Sequence, residues 1–180
     1  MGAFISKGSM VLRPVRPEDG MLFLKWHNDQ NLRESIGGAF PFTERTFSDI
    51  CNRGNTETPA NVWFAAEWEG HLIGIAGLHN IKYIQRNAEI ALLIGEWENR
   101  QKGYGTAILE SVSRYGFQDL GLHRLYAQIY PHNTASIQLF QKSGFQREGI
   151  LREASWWNGR FRDIIIYGKL DSQGASFLCG

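Results

Sequence analysis

The residues with the clearest chemical promise are Arg100, Gln101, Lys102, Gly103, Tyr104, Gly105 and Thr106. They follow an apolar run at 88–94, read as a buried strand. They precede a segment in which Ala107, Ile108, Leu109, Val112, Tyr115 and Phe117 recur near helical spacing. A glycine loop between a strand and a helix N-terminus offers backbone N–H groups to a phosphate, and the helix dipole adds to the attraction. Gly103 and Gly105 let the backbone approach a ligand without a Cβ. Arg100, Gln101 and Lys102 add donors at the same mouth. The same residues also read as a tight turn with solvated basic side chains, and Arg-x-x-Gly-x-Gly is too short a pattern to decide. Two nucleotide readings do fall away. A dinucleotide fold wants a third glycine and an acid about 20 residues on. Here Ile108 holds the glycine position and Asp119 comes too early. A P-loop wants Gly-Lys-Ser/Thr, which the chain lacks.

Two further stretches bear on the question. Residues 133–145 read Asn-Thr-Ala-Ser-Ile-Gln-Leu-Phe-Gln-Lys-Ser-Gly-Phe, a helix with Gly144 as its C′ glycine. Residues 149–163 run from Gly-Ile-Leu-Arg-Glu to Trp-Asn-Gly-Arg-Phe-Arg-Asp, two strands around the hairpin signal Asn158-Gly159. Together with 89–106, in this order and spacing, these stretches resemble the GNAT acyl-CoA N-acetyltransferases over about residues 10 to 170. The hairpin resembles the subgroup containing ribosomal-protein N-terminal alanine/serine acetyltransferases and polyamine acetyltransferases.

The resemblance implies an α+β fold, with a mixed, centrally splayed sheet of about seven strands flanked by about four helices. It implies acetyl-CoA as cofactor. The backbone of Leu92, Leu93 and Ile94 would pair with the pantetheine amides like an added strand. The N–H groups of residues 101–106 would hold the pyrophosphate, and Asn133 would bond the pantetheine arm. Ser136 and Phe140 would lie at the cofactor, and Lys142 either reaches the adenosine phosphate or is a solvated surface lysine. The implied chemistry is direct transfer, in which a neutral amine attacks the thioester carbonyl and a donor stabilises the oxyanion. An amine of pKa about 8 to 10 is mostly protonated at pH 7, so a base or a water chain must take its proton. Glu89, on the cofactor strand, ranks first as that base, with a purely structural strand carboxylate as the equal alternative. Glu153 ranks second and Glu34 third. Many family members place a Tyr where this chain has Phe140, which cannot donate to the leaving thiolate. Ser136, one helical turn earlier on the same face, is the substitute. The subgroup's hairpin acid aligns with Ser155. Glu153, on the same strand face and offset by about 7 Å, is the expected replacement.

By the same resemblance, residues 25–50 and 153–163 build the acceptor pocket, with Glu34, Phe40, Trp156 and Trp157 as substrate contacts. A pocket for a polycation should be lined with carboxylates. The loop at 37–42 is apolar, flanked by Glu34 and Glu44. That weighs against polyamines and leaves a protein N-terminus, an amino sugar or another small amine open. At least half of the tryptophans are expected in the core or on a dimer surface. The competing reading is a CoA-binding module without catalysis, motivated by Phe140.

Composition narrows the rest. Lys plus Arg is 19 against 18 for Asp plus Glu, so a nucleic-acid binder working by bulk charge is disfavoured. Cys51 and Cys179 form neither a disulfide framework nor a metal-ligand spacing, and a cytoplasmic, reducing compartment is expected. No stretch approaches the roughly 20 apolar residues of a membrane span. A chain of 180 residues suits one domain. The expected layout is a flexible leader at 1–9, the domain at 10–170 and a disordered tail at 171–180. The expected state is a monomer or homodimer.

Overall fold

The computed structural model describes residues 4–37, 40–52, 58–96, 98 and 102–172. Eight strands form one sheet: β1 (Ile5–Lys7), β2 (Met10–Pro14), β3 (Val62–Trp68), β4 (His71–Lys82), β5 (Asn87–Ile94), β6 (Arg124–Ile129), β7 (Gln146–Trp157) and β8 (Arg160–Leu170). Their spatial order is β1-β2-β3-β4-β5-β6-β8-β7. The helices are α1 (Gly20–Asn28), α2 (Gln30–Ile36), α3 (Glu44–Asn52), α4 (Tyr104–Arg114) and α5 (Thr134–Lys142). The described residues thus carry one strand and one helix more than the approximate expectation. The added strand is β1, in the stretch read as a leader. Ile5 pairs with Leu12 and is buried in the core, which gives these residues a reason to be ordered. Of the expected tail, residues 173–180 lie outside the described residues.

Every strand pair is antiparallel except β5 with β6, which is parallel. That pair is short. Asn87, Ala88 and Glu89 lie opposite Arg124, Leu125 and Tyr126, and the pairing stops there. β5 runs on to Ile94 against β4, while β6 runs on to Ile129 against β8. The sheet therefore forks after Glu89, and residues 90–94 keep β4 on one edge only.

Both faces of β5 are covered, as its apolar run requires. On one face Ala88 and Ile90 pack with Ile108, Leu109 and Val112 of α4. On the other, Leu93 and its β4 partner Ile75 pack under Phe23 and Trp26 of α1, Leu32 of α2 and Phe47 of α3. Burying a side chain such as Phe23 stabilises by about 1.5–3 kcal/mol. The fit at the end of β5 is close. A Cβ on Gly95 would sit 1.9 Å from Trp26 Cε2, so only glycine lets the indole lie there. The Trp26 indole N–H donates to Glu96 at 2.9 Å, and Lys25 donates to the same oxygen at 2.7 Å.

A buried ion pair holds the start of α1 to the sheet. Arg13 on β2 donates to both carboxylate oxygens of Asp19 at 2.8 Å, and its Nε donates to Glu67 on β3 at 2.6 Å. Asp19 also accepts from the backbone N–H of Arg16, closing the turn that precedes α1. Both Arg13 and Asp19 are buried. Asp19→Ala leaves a buried guanidinium without its bidentate partner and should cost about 3–5 kcal/mol, read by chemical denaturation. A loss below about 1 kcal/mol would mean that the pair does not anchor α1.

Candidate active site

Glu89 stands at the fork. It is opposite His79 on β4 and Tyr126 on β6, in the last parallel pair before the strands part. It is 8 % exposed. Its Oε2 accepts from Gln128 Nε2 at 3.1 Å. Its Oε1 lies 3.8 Å from His79 Nε2, beyond hydrogen-bond length. The His79 ring stacks on Trp63, with centroids 5.6 Å apart. Burial raises the Tyr126 phenol above its ordinary range, with the Glu89 carboxylate adding to the rise and Arg124 opposing it. A buried carboxylate with Oε2 tied to Gln128 across the fork, and Oε1 on the β4 side beyond hydrogen-bond length of His79, can accept a proton from a group in the gap.

On one side of the fork lie α4 and α5. Gly103 caps α4 in the left-handed conformation, at φ 83°, and no side chain among the described residues caps this end. The first N–H groups of a helix lack intrahelical partners, so this end suits an anion. Lys102 is exposed beside it, and the Tyr104 ring stacks on Trp68. Arg100 and Gln101 lie outside the described residues. Asn133 is the N-cap of α5: its side chain accepts from Ser136 N at 3.1 Å and donates to Ser35 O at 3.2 Å. Ser136 is half-buried in the first turn, and Lys142 is exposed at the far end of the helix. Phe140 departs from expectation. It is 4 % exposed and packs edge-on against Phe145 at 4.9 Å, so its ring is part of the core.

The other wall of the fork rises along β6. Gln128 and Tyr130 share the face of Tyr126 by strand alternation. The Tyr130 hydroxyl bonds Ser155 Oγ on β7 at 2.8 Å. A Cβ on Gly37, at the end of α2, would lie 2.5 Å from that hydroxyl, and its φ of 67° with ψ of 147° is a glycine conformation. The imidazole of His132 bonds the backbone oxygen of Glu34 at 2.8 Å. Arg33 lies over the Trp157 ring, 5.2 Å from its centroid. The end of α2, the turn after β6 and the tip of the β7–β8 hairpin therefore meet.

Several expected contacts are redistributed by register. Trp157 and Ser155 lie on this wall, but Trp156 pairs with Phe161 on the opposite face. Both of those rings are 60 % exposed and meet edge-to-face at 4.7 Å. Phe40 is 86 % exposed, and the Glu34 side chain is exposed. Glu153 does not share a regular face with Ser155. Leu151 pairs with Ile164 and Ser155 with Arg162, so three residues of β7 stand against one of β8. In this bulge Glu153 has φ 52°, its N–H donates to Asp163 at 2.8 Å, and its side chain is exposed. Sequence reasoning missed His79, Gln128 and Tyr130. The alternation Tyr126-x-Gln128-x-Tyr130 was the available signal for two of them, and His79 needed the β4–β5 register.

The residues present fit acetyl-CoA: a strand edge without a strand neighbour at 90–94 and an uncapped helix N-terminus beyond it. A family model described as an acetyltransferase (GNAT) domain matches residues 9–146. The chain belongs to the GNAT acetyltransferases. This GNAT chain is 28% identical over 141 residues to the spermidine N(1)-acetyltransferase of Vibrio cholerae, covering 77% of the chain and 81% of that relative. It is 32% identical over 103 residues to the putative ribosomal N-acetyltransferase YdaF of Bacillus subtilis, 57% of the chain and 56% of that relative. The crystal structure of spermidine N-acetyltransferase from Vibrio cholerae in complex with CoA and spermine matches with a TM-score of 0.83 at 26% identity, over 92% of this chain and 98% of that one. The GNAT protein is an N-acetyltransferase that uses acetyl-CoA as donor and an amine as acceptor. Among its described residues, no helix is long and apolar enough to cross a membrane, and no group of His, Cys, Asp and Glu could hold a metal.

Because Gly37 lets α2 end against Tyr130, Gly37→Ala should lower stability by about 1–3 kcal/mol and raise KM for the acceptor more than for acetyl-CoA. Thermal melts and steady-state kinetics check this. Equal effects on both KM values would separate Gly37 from the acceptor wall.

Proposed function

We propose that the protein acetylates a primary amine at the end of an extended chain, foremost a peptide N-terminus, with Glu89 as general base. The observation that carries this is the fork after Glu89, which leaves a buried carboxylate between a free strand edge and an open wall. Acetyl-CoA supplies the activated acyl carbonyl. The backbone of Leu92, Leu93 and Ile94 would hold its pantetheine arm, and residues 102–106, with Arg100 and Gln101, its pyrophosphate. Asn133 and Lys142 stand toward the arm and the adenosine end. Gln128 holds Glu89 Oε2, which leaves Oε1 to take the amine proton. Ser136 is the donor for the leaving thiolate, because Phe140 is buried and has no hydroxyl. Glu153 and Glu34, with exposed side chains, sit outside the proton path and flank the acceptor instead. The free thiol of Cys51 suits a reducing cytoplasm, and the working unit is a monomer or homodimer.

Support for a peptide comes from the wall chemistry: hydroxyls on Tyr130 and Ser155, an aromatic face on Trp157, and cations on Arg33 and Arg162. The likeness to spermidine acetyltransferases favours a second reading, a polyamine acceptor. A thiol-release assay over peptides with varied N-terminal residues, spermidine and an amino sugar decides. Peptides are expected to exceed spermidine at least tenfold in kcat/KM. The reverse order establishes the polyamine reading, and tight cofactor binding without turnover on any amine establishes a CoA-binding module.

Glu89→Gln should lower kcat/KM about a hundredfold, whereas Glu153→Gln should change it less than threefold. A loss under tenfold for Glu89→Gln would assign deprotonation to water.

A further inference from the structure

We propose that the acceptor carries a carboxylate several residues from its amine, and that Arg162, flanked by Arg33 and Trp157, binds it. This deepens the peptide reading above and rests on it. The cross-strand register assembles the site. Ser155 lies opposite Arg162 and Trp157 opposite Arg160, while Gln128 lies opposite Ile166. Two-residue alternation from Ile166 to Arg162 and from Ser155 to Trp157 then keeps Arg162 and Trp157 on the face of Gln128 and Tyr130.

The charge on Arg162 is not answered by an acid. His132 Nε2 is 2.8 Å from the Glu34 carbonyl oxygen, which can only accept, so Nε2 carries the proton. Nδ1 of the same ring faces Arg162 Nη1 at 3.4 Å. Among the described residues, no carboxylate forms an ion pair with Arg162. Arg162 Nε and Trp157 Nε1 are both sealed from water without a hydrogen-bond partner, two of four such side-chain atoms among the described residues. Both are donors. Arg162 as a whole is half-buried, and a cation without an acidic partner on this wall suits a ligand that only accepts. A carboxylate accepts at both oxygens and matches the planar guanidinium fork. Arg33 packs over the Trp157 ring and helps to fix that face of the wall.

The distance sets the peptide length. From Tyr126, the neighbour of Glu89, to Tyr130 just past the end of β6 is four residues, roughly 13 Å, after which the chain turns at Pro131 and His132. An extended peptide spans that in about four residues, and the reach of the acid and of the Arg162 side chain adds one or two positions. The acid should therefore sit at the fourth to sixth residue of the acceptor.

An acid scan tests this. Alanine-based heptapeptides carry Glu or Gln at each position from two to seven, and kcat/KM is measured with acetyl-CoA. The expected Glu-to-Gln preference is at least tenfold at positions four to six, expressed in KM, and it shrinks as salt rises from 50 to 300 mM. Arg162→Gln should bring the ratio near one, and Arg162→Lys should restore part of it. A wild-type ratio near one at every position overturns the inference without any variant. So does a ratio that survives Arg162→Gln in a folded protein. Equal turnover of Glu and Gln peptides sinks the carboxylate site alone, whereas turnover of spermidine and of no peptide sinks the peptide reading with it.

Discussion

The early end of the β5–β6 pairing is the constraint on which the rest depends. Two parallel strands share three residue pairs and then diverge, although both continue for several residues. Backbone N–H and C=O groups left without a ladder must find other partners. The edge of β5 beyond Glu89, where the pairing with β6 has stopped, therefore suits a ligand that brings amides of its own. The carboxylate in the last shared pair is shielded by the strands on either side, yet it faces the gap that opens beyond it. A fully paired parallel sheet would have neither the free edge nor the gap.

Keeping the fork open requires the two halves of the sheet to be held independently. The β5 half is clamped by the α1–α3 cluster, with Trp26 seated on Gly95 and Arg13 bonded to Asp19. The β6 half is held by β8, with Tyr167 and Ile165 in the main core. The halves also meet where α2 reaches the turn after β6, through the bonds of His132 and Asn133 to the backbone of Glu34 and Ser35. The wall proposed for the acceptor is therefore assembled from segments nearly 100 positions apart.

The bulges of β7 do two jobs. β7 is an edge strand of 12 residues, and a long regular edge invites pairing with other chains. Register shifts between Arg147 and Gly149 and between Leu151 and Ser155 interrupt it. The second shift also re-aims the side chains beyond it, as bulges do. Ser155 and Trp157 come to the acceptor wall, Trp156 goes to the other face, and Glu153 turns out to solvent.

The sequence by itself determined the local elements: the strand–glycine loop–helix unit at 88–117, the Asn158-Gly159 hairpin, and the α5 helix ending at Gly144. These rest on periodicity, capping and turn chemistry, which act between residues a few positions apart. The family pattern was legible for the same reason, since its motifs are contiguous. Only the tertiary structure decided that Ile5–Lys7 form a strand, that Phe140 is core, that Glu153 leaves the face of Ser155, and that His79, Gln128 and Tyr130 surround the fork. Each of these depends on which distant residue lies opposite, and in a sheet a one-residue change of register moves a side chain to the other face.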